Sequence, residues 1–176
     1  MVAIGAAFGR EGVMQIATVR TLFDFDAWAT GRILDRVERL TPEQYDEQSG
    51  PGGQSVRQIL AHMLIAQHLW RVRCETGLTE LAIGPDDFPT VAAYRAGWET
   101  ERQARDAYIA TLDDAALAGP VRFERRGETF AYTLWHILYQ LISHNTQHRA
   151  ELAERLTAYG HSPGDLDFFL FVKPVE

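Results

Sequence analysis

His144 and His148 stand four residues apart in a stretch whose apolar residues recur at helical spacing. Side chains at i and i+4 lie one above the other on a helix, which lets two imidazoles reach one metal ion. Counting about 100° per residue from Leu134, the residues Leu138, Leu141, Leu152 and Leu156 gather within about 40° of it, and this is the core stripe. His148 falls at about 320° and His144 at about 280°, both on one shoulder of that stripe. A third ligand must come from another helix, and His62 is the candidate. Counted from Val56, it falls at about 240°, on a shoulder of the stripe Ile59, Leu60, Met63 and Trp70. Three histidines would make an all-nitrogen site with positions left open for water or substrate. Imidazole suits zinc, nickel, copper or iron. The ion would lower the pKa of a bound water or thiol, or act as a Lewis acid. A histidine pair at this spacing is also common on surfaces and in hydrogen-bonded cores, and spacing alone leaves that reading open.

The remaining candidates carry less. His136 falls at about 200°, on the far side of its helix, and His68 at about 120°, away from its stripe. His161 follows Gly160 in a turn, so all three read as background. Glu151, at about 260°, lies on the His144 side. It could accept a hydrogen bond from a ligand histidine or act as a general base, but a solvated glutamate paired with Arg155 at i+4 is the stronger reading. Cys74 is the only cysteine. It cannot form an internal disulfide and excludes zinc sites built from several thiolates. No helix start or cationic motif marks it as reactive, so it reads as a small buried hydrophobe.

These residues need helices to position them. Val19, Leu22, Phe23, Ala27, Ile33, Leu34 and Val37 predict an amphipathic helix from Ile16 to about Leu40, stopped by a turn at Thr41-Pro42-Glu43. After a loop at residues 48–53, Ser55-Val56-Arg57-Gln58 reads as a capping box opening a helix to about Glu75, ended by Gly77. Thr90 caps a third helix to about Leu112 after the surface loop 84–89. Residues Val121 to Phe130 predict a small hairpin turning near Gly127, and Thr133 caps a fourth helix to about Tyr159, closed by Gly160. The fold class is therefore all-α, a four-helix bundle with a small hairpin before the last long helix. The apolar stretch Leu166 to Phe171 should pack back onto the bundle or onto a partner subunit.

The 176 residues fit one domain, 1–176, with residues 1–13 expected as a disordered extension and Met14 as the natural start. Hydrophobic residues at 46% suffice for a core. A net charge of −7 lacks the basic excess that draws nucleic acid or anionic lipid. No apolar run approaches the ~18 residues of a membrane span, and no targeting segment is evident. The expected compartment is the cytoplasm, with no nucleic-acid or membrane partner.

Beyond periodicity, Leu22-Phe23-Asp24-Phe25-Asp26-Ala27-Trp28-Ala29 followed by Arg32-Ile33-Leu34 resembles the first helix of the DinB-like (YfiT-like) metalloenzymes. Residues Ser55 to Leu64, with Trp70 beyond, are similar to their second helix. His144-Asn145-Thr146-Gln147-His148-Arg149 resembles their His-x-x-x-His-Arg motif, and Gly160 to Asp167 matches the turn before their last segment. The blocks keep their order over residues 16 to 172. The resemblance implies an up-down-down-up bundle, commonly a homodimer, with a divalent metal on His62, His144 and His148. Zinc or nickel is expected first, then iron or manganese. Two departures stand one turn from the ligands: Gln140 where relatives often have histidine, and Ala150-Glu151 where they have Gly-Gln. Trp28 reads as core packing.

Some such relatives, the bacillithiol transferases and mycothiol-dependent maleylpyruvate isomerase, use a low-molecular-weight thiol that the metal activates. The resemblance thus implies thiol-dependent transfer to a small electrophile. A hydrolase using a metal-bound water is the alternative. A non-catalytic metal-binding or dimeric module in a stress response is the third.

Overall fold

The structure, a computed structural model, describes residues 14–48, 52–79, 83–172 and 174. The expected extension at residues 1–13 and the middle of the 48–53 loop lie outside the described residues. The elements in order are α1 (Ile16–Val37), α2 (Pro42–Asp46), α3 (Val56–Thr76), a 3-10 turn at Pro85–Asp87, α4 (Val91–Ala110) and α5 (Asp114–Leu117). The strands β1 (Pro120–Arg125) and β2 (Glu128–Thr133) follow, then α6 (Leu134–Ala158) and α7 (Phe168–Phe171).

Local chemistry explains most boundaries. Ser55 Oγ accepts from the Gln58 N–H (3.2 Å) while Gln58 Oε1 accepts from the Ser55 N–H (2.8 Å), satisfying two free amides where α3 starts. Gly77 ends α3 in the left-handed conformation, φ 74°. The turn expected at Thr41 is instead the start of α2, because Thr41 and Gln44 make the same reciprocal box and Pro42 sits at the first helical position. At α6 the correction runs the other way. Thr133 occupies the cap position but its side chain caps nothing, and the Leu134 N–H donates to the Gly119 carbonyl instead (2.9 Å). The hairpin is present and longer than expected, pairing Pro120 with Thr133 through Arg125 with Glu128. Arg126 (φ 54°) and Gly127 (φ 78°) make its two-residue turn, the doubly positive geometry that matches strand twist.

Side-chain contacts fix the direction of each long helix. Asp26 meets Asn145 and Thr30 meets Arg149, so α1 and α6 run parallel. Arg155 at the end of α6 donates to the Gln54 carbonyl just before α3, so these two are antiparallel. Gln67 meets Arg105 and Cys74 meets Tyr108, making α3 and α4 parallel. Arg105 lies over Phe23 whereas Arg95 reaches Asp35, making α1 and α4 antiparallel. The bundle is up-down-down-up.

Its buried hydrophobics form two clusters. One holds Ile33, Leu34, Val37, Val56, Leu60, Tyr94 and Leu152, the other Val19, Phe23, Ile109, Leu117, Leu134, Leu138 and Leu141. The side chains of Asp26, Thr30, Gln67, Arg105, Asn145 and Arg149 are buried in the same bundle. Asp26 is fully buried, accepting from Arg149 and from the Asn145 amide (3.1 Å to each oxygen). Such a carboxylate needs these donors to offset its lost hydration. At the C-terminal end, Phe168 and Phe171 pack against Phe25, and Phe171 also meets Trp28, while Phe169 stays 86% exposed. Trp28 is therefore only half-buried, a seat for the chain end rather than core packing.

Candidate metal centre

In the groove between α3 and α6, the structure brings His62, His144 and His148 together. His144 and His148 share a face of α6, and His62 of α3 faces them across the groove. His62 Nε2 stands 3.0 Å from His144 Nε2, which stands 3.2 Å from His148 Nε2. The three ligand atoms all lie within 4.8 Å of one another. Two imidazole lone pairs at such distances repel unless a proton or a cation lies between them. Ligand nitrogens about 2.0–2.1 Å from a tetrahedral ion would stand about 3.3 Å apart, so the donor set fits a divalent metal. Exposure grades across the site: His62 is exposed, His144 half-buried and His148 buried.

The electrostatics keep lone pairs available. Burial, followed by the neighbouring His148, holds His62 below the usual histidine range. His144 is lowered in the same way, by burial, then by His148 and His62. Both therefore favour the neutral form that a metal requires. Glu151 Oε2 lies 2.9 Å from His148 Nδ1. An ionised carboxylate only accepts, so the proton sits on Nδ1 and Nε2 offers its lone pair inward. Burial alone would raise the Glu151 carboxyl, but the bond from His148, positive charge at that ring when it is protonated, and the bond from Gln147 turn the net shift downward.

Glu151 accepts from His148 and from Gln147 Nε2 (3.4 Å), while Arg155, whose charge also lowers it, donates to the Gln54 carbonyl. The background histidines stay outside the cluster. His68 Nδ1 lies 2.9 Å from Glu101 Oε2 in an ion network with Arg71, and His136 lies edge-on to Trp135. Cys74 is half-buried, its thiol pushed up to about 12 chiefly by burial, so it offers no nucleophile. Sequence reading gave no role to Asp26 and Asn145, which tie α1 to α6 beside the histidines. Their signal was available: Asp26 and Thr30 occupy core spacing with Val19, Phe23 and Ile33, and polar residues there imply a buried network.

A cleft of about 730 Å³ adjoins the centre, lined by Glu47, Gln147, His148, Glu151, Glu154 and Arg155 among others. It reaches the three histidines through His148. Among the described residues no helix is long and apolar enough to cross a membrane.

Comparison with known proteins completes the picture. The model of the DinB family matches residues 14–175. No curated protein matches the sequence. Among solved structures, the chain resembles YfiT from Bacillus subtilis, described as a probable metal-dependent hydrolase with an unusual four-helix bundle topology. The TM-score is 0.65 at 22% identity, covering 90% of this chain and 97% of that one. A DinB-like protein from Bacillus cereus aligns with TM-score 0.62 and 15% identity over 88% and 99% of the two chains. Another from Bacillus subtilis, YjoA, aligns with TM-score 0.60 and 16% identity over 80% and 92%. These likenesses establish the shared fold, and the chain belongs to the DinB family.

Proposed function

We propose that this DinB-family chain is a divalent-metal-dependent enzyme, holding zinc or nickel on His62, His144 and His148 and acting on a small electrophile. The observation that carries the reading is the convergence of three imidazole nitrogens at the edge of a cleft. When bound, a divalent ion would supply Lewis acidity and lower the pKa of a water or thiol. The chain's own residues do the rest. Glu151 fixes the tautomer of His148, partial burial and the neighbouring imidazoles lower His62 and His144 towards the neutral form, and the exposed side at His62 admits small molecules.

The attacking group comes from solution, since the one thiol of the chain, Cys74, is held protonated and lies outside the histidine cluster. A low-molecular-weight thiol is the first reading, giving transfer of its sulfur to the electrophile. Water is the second, giving hydrolysis, and the likeness to YfiT, described as a probable metal-dependent hydrolase, favours it.

Elemental analysis of metal-replete protein and a His148→Ala variant tests the common part. About one equivalent in the wild type and under a tenth in the variant is expected, and less than a tenth in the wild type overturns it. Turnover of p-nitrophenyl acetate without thiol, against turnover of a chromogenic aryl halide only with thiol, separates the two nucleophiles.

A further inference from the structure

Along α6, Gln140, Ile137 and His136 lie on the other side of His144 from the residues that line the acidic cleft. There Trp70, Tyr132, His136, Ile137 and Gln140 line a second cleft of about 420 Å³. Gln140 precedes His144 by one helical turn on the same face, a rise of about 6 Å. His136 and Ile137 lie about 10–12 Å from His144 along the helix. The distance is that of one small molecule spanning from the metal centre into the cleft.

The two clefts differ in chemistry. Glu47, Glu151, Glu154 and Arg155 border the first. None of the five residues of the second is a carboxylate, lysine or arginine. Its walls are indole, phenol, imidazole and an aliphatic side chain, with the Gln140 amide as a neutral donor and acceptor at the mouth. Trp70 is held in place edge-on to Phe123 (5.3 Å between ring centroids) and under the Arg73 guanidinium (4.6 Å). Aromatic walls suit a flat ring, and a charged substituent would meet no carboxylate, lysine or arginine among the five lining side chains. The volume lies within the range of small-molecule sites.

We propose that the Trp70–Gln140 cleft is the electrophile subsite and takes a neutral aromatic ring bearing a hydrogen-bonding substituent. The assignment rests on the metal-centre reading for its catalytic meaning, but ring binding itself needs no metal. Binding is followed by saturation-transfer NMR on the full chain with benzamide, benzoate, which carries the same ring with a charge, and acetamide, which has no ring. Benzamide should bind saturably, and both benzoate and acetamide at least tenfold more weakly. Trp70→Ala should weaken benzamide at least tenfold. Since that variant could disturb the Phe123 contact, Gln140→Trp at an exposed position serves as a second, filling the cleft mouth and blocking benzamide. Both variants should keep the wild-type metal content, whereas His144→Ala should lose metal and keep benzamide binding. Unchanged benzamide binding in both Trp70→Ala and Gln140→Trp, or benzoate binding equal to benzamide, overturns the assignment whatever the metal content. Wild-type protein that takes up less than a tenth of an equivalent of metal under metal-replete conditions, yet binds benzamide at this cleft, would refute the metal reading alone.

Discussion

At the scale of single residues, one hydrogen bond decides how well the centre can be set. Glu151 holds the proton on His148 Nδ1, and Glu151→Gln keeps the shape but replaces the charged acceptor with an amide. Metal affinity should fall about 10–100-fold, as for other partners of metal-bound histidines, read by competition against a chromogenic chelator with the fold unchanged by circular dichroism. Cys74 gives a separate test. Burial pushes its thiol from 9.0 up to about 12, so the folded chain keeps a proton that the unfolded chain releases above about 9. The associated stability is whole below that pH and drains away as pH climbs towards about 12, by at most about 1.4 kcal/mol per pH unit. The urea midpoint should therefore fall more steeply between pH 8 and 10 in the wild type than in Cys74→Ala. Equal slopes would mean that the thiol is not protected.

At the scale of elements, Gly97 shows how a weak helix former can serve packing. A Cβ there would lie 2.6 Å from Phe88 Cε1 and 3.2 Å from Leu64 Cδ2, so the bare backbone of α4 makes room for the Phe88 ring. Gly97→Ala gains about 1 kcal/mol of helix propensity and meets an overpacking cost of about 1–3 kcal/mol. A net loss of up to about 2 kcal/mol is expected from denaturant unfolding, and a stabilised variant would show that the ring moves aside freely. Elements with a chemical start signal were legible in the sequence, as the Ser55 box and Gly77 of α3 show. The short α2 was not, although Thr41 and Gln44 carry the same box, because five residues are too few to display periodicity. Thr133 looked like a cap, but the β2 strand running into α6 hands the task to Gly119. A tertiary bond of that kind leaves no mark in local sequence.

For the molecule as a whole, the polar group around Asp26 joins three of the four long helices. Arg149 of α6 and, at 3.6 Å, Arg105 of α4 both depend on this α1 carboxylate. Asp26→Ala should cost about 3–5 kcal/mol, since it takes the carboxylate partner from the buried Arg149 guanidinium, whereas Arg105 keeps Asp106 and Gln67. Asp26→Asn should cost less because it retains the bond to Asn145, and equal losses would argue that the charge alone, and not that bond, is what the site supplies. Helix count, hairpin and the histidine cluster could be read from spacing and resemblance. The part of Glu151 could not, because i+3 to His148 and i+4 to Arg155 are both feasible on a helix and only side-chain placement chooses. Adjacency of α1 and α6 has a further consequence in time. During synthesis α1, α3 and α4 emerge before any residue of Leu134–Ala158, which supplies two of the three histidines and the hydrogen-bond donors Asn145 and Arg149 to Asp26. A ribosome-bound chain at that stage holds a single histidine of the cluster and a first-helix acid without its α6 donors. Closure of the bundle must therefore wait for release of the last long helix, and so would capture of the proposed ion, since two of its three histidines arrive with that helix.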